Sequence, residues 1–258
     1  MMILVKIFIM SFVIYGVTKI SRKWGNEIGG MIASLPWIAG PILIFITLEQ
    51  GIPFAKDTVK GVMLGMISWI AFCFAYMKAG ERYSPYITIL LSYLAYMVTG
   101  YLLTFPFDYL NIHAWFGIVM TLVALAVYIF PDINLKNLNQ TSRTLKYDIA
   151  LRMISASGFV ALITYFASRM GPTWSGILTP FPIMTAVLAF FTHLTQGIDN
   201  AKLILRGMLA GIIGFNLFLY LQHFFLDLYT LPIAIFIGLA INLLVTYLMS
   251  KVLFWYFR

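Results

Sequence analysis

The stretch Gln50-Gly51-Ile52, followed by Ala55-Lys56, Gly61 and Gly65, returns 146 residues later as Gln196-Gly197-Ile198, followed by Ala201-Lys202, Gly207 and Gly211. The register extends without a gap from residues 6–104 to residues 152–250, where 21 of 99 aligned pairs are identical. Composition alone gives roughly 8, so the chain repeats itself. Gly25, Gly30 and Pro36 pair with Gly171, Gly176 and Pro182, Lys6 with Arg152, Lys60 with Arg206, and Glu81 with Asp227. Matches on Gly, Pro, Gln and Lys argue for duplication, because mere likeness between apolar helices would confine them to Leu and Ile.

The 258 residues are 62% hydrophobic and 10% charged, against about 25% charged in soluble domains. So few charges cannot clothe a water-soluble particle of this size, and the lipid bilayer is the expected solvent. With about 20 apolar residues per span, the length admits about eight to ten helices and no separate extramembrane domain. A single Cys73 excludes an internal disulfide and a Cys-cluster metal site, and three His leave little for a His-rich one. No metal or cofactor is expected. The net charge of +8 sits at the ends of apolar runs, where it reads as a topology signal; nucleic acid is not an expected partner.

Hydropathy and the Gly, Pro and charge punctuation predict an all-α integral membrane protein of about nine transmembrane helices. They fall near residues 2–20, 30–48, 59–77, 86–104, 114–130, 149–168, 174–194, 203–221 and 231–252. Assigning the loops alternately to two faces collects Lys19, Arg22, Lys23, Lys78, Arg82, Lys136, Arg143, Lys146, Arg152, Lys202, Arg206, Lys251 and Arg258 on one side. Lys6, Lys56, Lys60 and Arg169 fall on the other. This bias places the N-terminus outside and the C-terminus in the cytoplasm. The first span reads as a retained helix, because its basic cluster follows the apolar run where a signal peptide's would precede it.

Residues 1–105 form the first repeat, 106–147 a linking helix and cytoplasmic loop, and 148–258 the second repeat. Each repeat holds four spans, and five spans separate equivalent points, so the second must enter the membrane from the opposite face. Such inverted-topology repeats recur in secondary transporters, where two halves of opposite orientation exchange conformations around one site.

The equivalent second spans carry helix breakers: Leu35-Pro36-Trp37-Ile38-Ala39-Gly40-Pro41 in one half and Leu178-Thr179-Pro180-Phe181-Pro182 in the other. Proline removes a backbone donor and clashes with the preceding turn. Backbone groups freed at bilayer depth are tolerated only where protein or a wet cavity satisfies them. The long C-terminal half of each helix points its positive dipole end at the break, an arrangement that favours an anionic group. Ser34, Pro36, Gly40, Pro41, Thr179, Pro180 and Pro182 are therefore the expected substrate-binding residues, with Thr185 as a further nearby hydroxyl; Pro kinks that only shape packing are the competing account.

Asn216, and Asn242 with it, are the most central amides. Asn216 joins the expected binding set, although hydrogen bonding between helices explains both. Glu49 and His193 break the symmetry between the repeats and are candidates for proton coupling, with solvated positions near the interface as the simpler reading. Gln50 and Gln196 are expected to cap carbonyls before Gly51 and Gly197. The paired Gly61, Gly65 and Gly207, Gly211 read as close helix contacts. Lys6 and Arg152 begin equivalent helices and are expected to snorkel toward headgroups. His113 and His223 near the outer face carry no pattern that calls for haem.

The sequence holds no His-Glu-x-x-His, Gly-x-Ser-x-Gly or Walker pattern, and no catalytic residues are expected. The nine acidic residues fall near span ends, which disfavours an antiporter built on a midplane Asp. The block of residues 30–51, with Leu35-Pro36, Gly40-Pro41 and Glu49-Gln50-Gly51, resembles a pattern of uncharacterised multi-pass inner-membrane proteins of bacteria. The resemblance implies a bacterial inner membrane and supplies no activity; the architecture is similar to inverted-repeat secondary transporters in general. The expected function is a secondary transporter or permease for a small organic anion or an anionic amphiphile, in contact with the lipid bilayer and compatible with a homo-oligomer. Lipid handling, membrane enzymology or a non-transporting subunit are the alternatives.

Overall fold

The computed structural model of the protein describes residues 2–37, 39–106, 109–130, 133, 138, 146–167 and 181–256. Among these the chain is all-helical. The helices are α1 (Met2–Trp24), α2 (Asn26–Ala33), α3 (Ala39–Gln50), α4 (Ile52–Gly80), α5 (Pro85–Thr104), α6 (Ile112–Tyr128), α7 (Asp148–Ala167), α8 (Ile183–Gln196), α9 (Ile198–Leu228) and α10 (Leu231–Tyr256). Four are long and apolar enough to cross a membrane: Ile52–Gly80, Pro85–Thr104, Ile198–Leu228 and Leu231–Val252.

Local chemistry sets the breaks. Gly51 and Gly197 stand between consecutive helices at φ 86°, ψ 170° and φ 85°, ψ 171°, a region open essentially to glycine alone. Pro53 and Pro85 occupy first-turn positions of α4 and α5, where the missing N–H costs nothing. Asn111 caps α6, its Oδ1 accepting from Ala114 N at 2.9 Å. The element boundaries keep the sequence offset of 146: α1 and α7, α4 and α9, and α5 and α10 begin that far apart, and α3 and α8 end so.

The core is the pair α4 and α9, both buried along most of their length. They run antiparallel. Lys56 in the first turns of α4 meets Asp227 at the end of α9 (Nζ to Oδ2 2.5 Å), while Lys202 near the start of α9 meets Glu81 just past α4 (Nζ to Oε1 2.8 Å). Lys56 and Lys202 are equivalent positions, as are Glu81 and Asp227, so each contact is the image of the other. The helices α1 and α7 are likewise antiparallel. Arg22 at the end of one reaches Asp148 at the start of the other at 2.6 Å, and between them the equivalent Ser11 and Ser157 touch hydroxyl to hydroxyl at 2.8 Å.

Around this core, α5 packs on α4 and α10 on α9, α6 bridges α4 and α9, and α2 lies along α9. The last contact explains two glycines: a Cβ on Gly207 would collide with the carbonyl of Glu27, and one on Gly30 with that of Ile204. The large apolar side chains left outside, among them Phe8, Phe12, Leu90, Leu94 and Phe236, form the kind of surface that lipid covers.

The helices α4 and α9 are longer than the hydropathy reading expects, 29 and 31 residues. The charges at Lys56 and Asp57 fall outside the expected span 59–77. The helix instead starts at the glycine before them, because i to i−4 bonding continues wherever charged side chains can reach water or a partner. At 1.5 Å per residue each rod is about 45 Å long and overshoots the ~30 Å hydrocarbon layer.

Candidate functional site: a broken helix and a proline-led helix start at mid-length of the core

The first interruption separates α2 from α3 and is closed from within. Ser34 Oγ donates to Met31 O at 2.6 Å, Trp37 Nε1 to Ile32 O at 2.7 Å, and Gly40 N to Pro36 O at 3.0 Å. The Ile32 carbonyl that Pro36 leaves without its usual donor is thus paired by Leu35 N and Trp37 Nε1, and α3 begins five residues past Ser34 with Gly40 buried. Ser34, Pro36 and Gly40 are all buried. Ser34 lies on α9, where a Cβ on Gly211 would collide with its hydroxyl.

Of the second expected break, the described residues show the carboxyl side: α8 starts after the buried Pro182, with Ala186 N donating to Pro182 O at 2.8 Å. Aromatic rings surround it. Phe181 stacks on Tyr93 (centroids 5.2 Å, 9°) and meets Tyr96 edge-on at 5.1 Å. Trp69 Nε1 donates to Thr185 Oγ1 at 2.8 Å. The break before α3 and the start of α8 therefore differ in chemistry: Ser34 rests on Gly211 at one, with Trp37 bonded to the backbone, and rings enclose Phe181 at the other.

Both lie at the same depth. Halfway between the two lysine ion pairs fall residues 68–69 of α4 and 214–215 of α9. Thr185 is held by Trp69 at that level, and Ser34 by Gly211 about one turn away.

Of the other expected site residues, Asn216 is fully buried and donates from Nδ2 to Phe116 O at 3.2 Å on α6, which is the interhelical role its alternative reading gave it. Glu49 is exposed. His193 Nδ1 lies 3.4 Å from Tyr76 OH. Thr179 and Pro180 lie outside the described residues, and of Pro41 only the backbone, in the first turn of α3, is described.

At the end of the bundle that carries most of the basic residues, the structure assembles a polar network that the sequence reading missed. Asp148 accepts from Arg22 Nη2 at 2.6 Å and from Arg152 Nε at 3.1 Å. Arg152 also donates to Leu188 O and Thr192 Oγ1, both at 3.4 Å. Asn26 Nδ2 donates to Gln196 Oε1 and Asn200 Oδ1, both at 3.0 Å, and Arg206 holds Glu27 at 2.7 Å. One expectation is corrected here. Arg152 is buried and does not snorkel, because Asp148 four residues back neutralises it. Gln196 Oε1 accepts from Asn26, and Gly197 ends α8 at φ 85°. The i to i+4 spacing of Asp148 and Arg152 was the one visible signal.

Composition, four membrane-length apolar helices and an all-helical chain mark a helical membrane protein. Residues 29–117, about a third of the chain, match a family of unknown function (DUF6789). The matched segment runs from α2 through the first interruption, Gly51, α4 and α5 into α6, and contains the block at residues 30–51. No curated protein and no solved structure matches the chain.

Proposed function

We propose that the protein is a secondary transporter or permease of the cell inner membrane, moving a small organic anion or an amphiphile with an anionic head by alternating access. In this reading there are nine spans, with the N-terminus outside and the C-terminus cytoplasmic. Residues 1–105 and 148–258 are inverted repeats joined by 106–147, and the chain is a carrier, not an enzyme.

One observation carries the reading. The equivalent ion pairs Lys56–Asp227 and Lys202–Glu81 join opposite ends of antiparallel α4 and α9, and the break before α3 and the start of α8 meet these rods near mid-length. With both pairs formed, both ends of the rods are joined at once, and transport by inverted halves of similar sequence would open them in turn. A positive helix end at mid-depth supports an anionic solute.

The test is uptake into liposomes holding the purified protein, with solutes chosen by a thermal-stability screen of anionic metabolites and lipids, since a ligand of the native state raises apparent stability. Saturable uptake dependent on the protein supports the reading. A second reading, lipid handling, is favoured by a shallow apolar cavity of about 440 Å³ at the α1–α7 crossing, lined by Ser11, Met153, Ile154, Ser157, Gly158 and Ala161. Stabilisation by lipids alone, with no solute uptake, would favour it.

A further inference from the structure

The polar side chains that α10 buries against α9 have no partner in any helix described. Asn242 is fully buried and both its Oδ1 and Nδ2 lack a hydrogen-bond partner among the described residues; Thr246, one turn further on and 8% exposed, has an unpartnered Oγ1. Buried polar atoms are paired in native proteins almost without exception, and these stand at a particular place. A Cβ on Gly214 would lie 2.7 Å from Thr246 Oγ1 and 3.3 Å from Asn242 Nδ2, so both side chains lie over Gly214, at the mid-length of α9. Ser34 lies over Gly211 on the same rod. Positions three apart on a helix are about 5–6 Å apart at Cβ, which brings the Ser34 and Thr246 hydroxyls within about 10 Å. The helix α10 packs against both α2 and α3.

We infer that the first interruption and α10 form one ligand site, over Gly211 and Gly214, between Ser34, the amino end of α3, Asn242 and Thr246. The group it recognises is a carboxylate with an adjacent hydrogen-bond donor, hydroxyl or ammonium. The positive end of α3 and Asn242 Nδ2 call for an anionic acceptor. Asn242 Oδ1 calls for a donor, and so does Ser34 Oγ, whose own proton is spent on Met31 O. A bare carboxylate would leave Asn242 Oδ1 orphaned, and a cation would meet the positive helix end. The equivalent positions in the first half, Tyr96 and Gly100, offer no such pair, and Phe181 packs on Tyr96 there, so the site is single. This assignment rests on the carrier reading for its solute class, and binding tests it apart from transport.

The experiment measures thermal midpoints of the full chain in detergent with L-lactate, L-alanine and propionate, for wild type and for Asn242→Leu, Thr246→Val and Ser34→Ala. The expected result is saturable stabilisation of wild type by lactate or alanine and at least tenfold weaker binding of propionate; which of the two binds names the donor. Asn242→Leu should keep or raise the ligand-free midpoint, since an apolar side chain replaces unpaired atoms, and should lose the ligand response. Ser34→Ala and Thr246→Val should weaken it. A large fall in the ligand-free midpoint of Asn242→Leu would show that Asn242 serves the fold, and an unaltered ligand response in the variants would place the ligand elsewhere; either overturns the site. So does the absence of any response in wild type. Binding without uptake into liposomes would leave the site standing and overturn the carrier reading.

Discussion

Asp148 is the residue on which the buried charge at one end of the bundle turns, because it accepts from both Arg22 and Arg152 while only 8% exposed. Replacing it by Asn leaves the Arg152 guanidinium, 3% exposed, without a counter-charge, and breaking such a pair costs about 3–5 kcal/mol. Asp148→Asn should lower the unfolding free energy by that order in a denaturant titration. Asp148→Asn with Arg152→Met should recover most of it, since an apolar replacement of a buried pair is near neutral. Gly197 makes a different kind of demand. At φ 85° a Cβ is strained whatever the surrounding space, so Gly197→Ala should lower stability by about 1 kcal/mol or more, detectable as a lower thermal midpoint. The glycine was legible in sequence as a helix stop. The Asp148 pair was legible only as a spacing, because nothing local says that α8 will cover it.

At the scale of the element, the break before α3 is written into the chain by Pro36, the start of α8 by Pro182, and the helix ends by Gly51 and Gly197. Where each broken end points is settled by packing: glycines on α9 admit Ser34, whereas Trp69, Tyr93 and Tyr96 enclose Phe181 and Thr185. The double variant Pro36→Ala, Pro182→Ala should restore i to i−4 bonding across the breaks and straighten the helices. It should insert into membranes as wild type does and lose ligand binding, read as loss of the stabilisation by solute; retained binding would remove the breaks from the mechanism. The lengths of α4 and α9 were misread for a physical reason. Hydropathy marks where lipid is, while hydrogen bonding carries the helix on past it through Lys56, Asp57 and Lys60.

At the scale of the molecule, alternating access requires the two ends of the α4–α9 pair to open in turn. Disulfides in place of the ion pairs test this. In a Cys73→Ala background, Lys56→Cys with Asp227→Cys should lock one end, and Lys202→Cys with Glu81→Cys the other. Each locked protein should lose uptake in liposomes and regain it on reduction. Full uptake by either oxidised protein would remove the α4–α9 ends from the gating motion.

Composition, hydropathy period and helix breakers act through neighbours along the chain, and for that reason the helical membrane class, the 146-residue self-similarity and the helix stops at Gly51 and Gly197 could be read from the sequence by itself. Contacts between Lys56 and Asp227, Ser11 and Ser157, or Thr246 and Gly214 join residues far apart in the chain, and no local rule ranks such pairings. Only the packing of α10 against α9 decided that Asn242 is buried with no partner for its amide among the described residues, and only the rings around Phe181 decided that the start of α8 differs in chemistry from the break at Pro36.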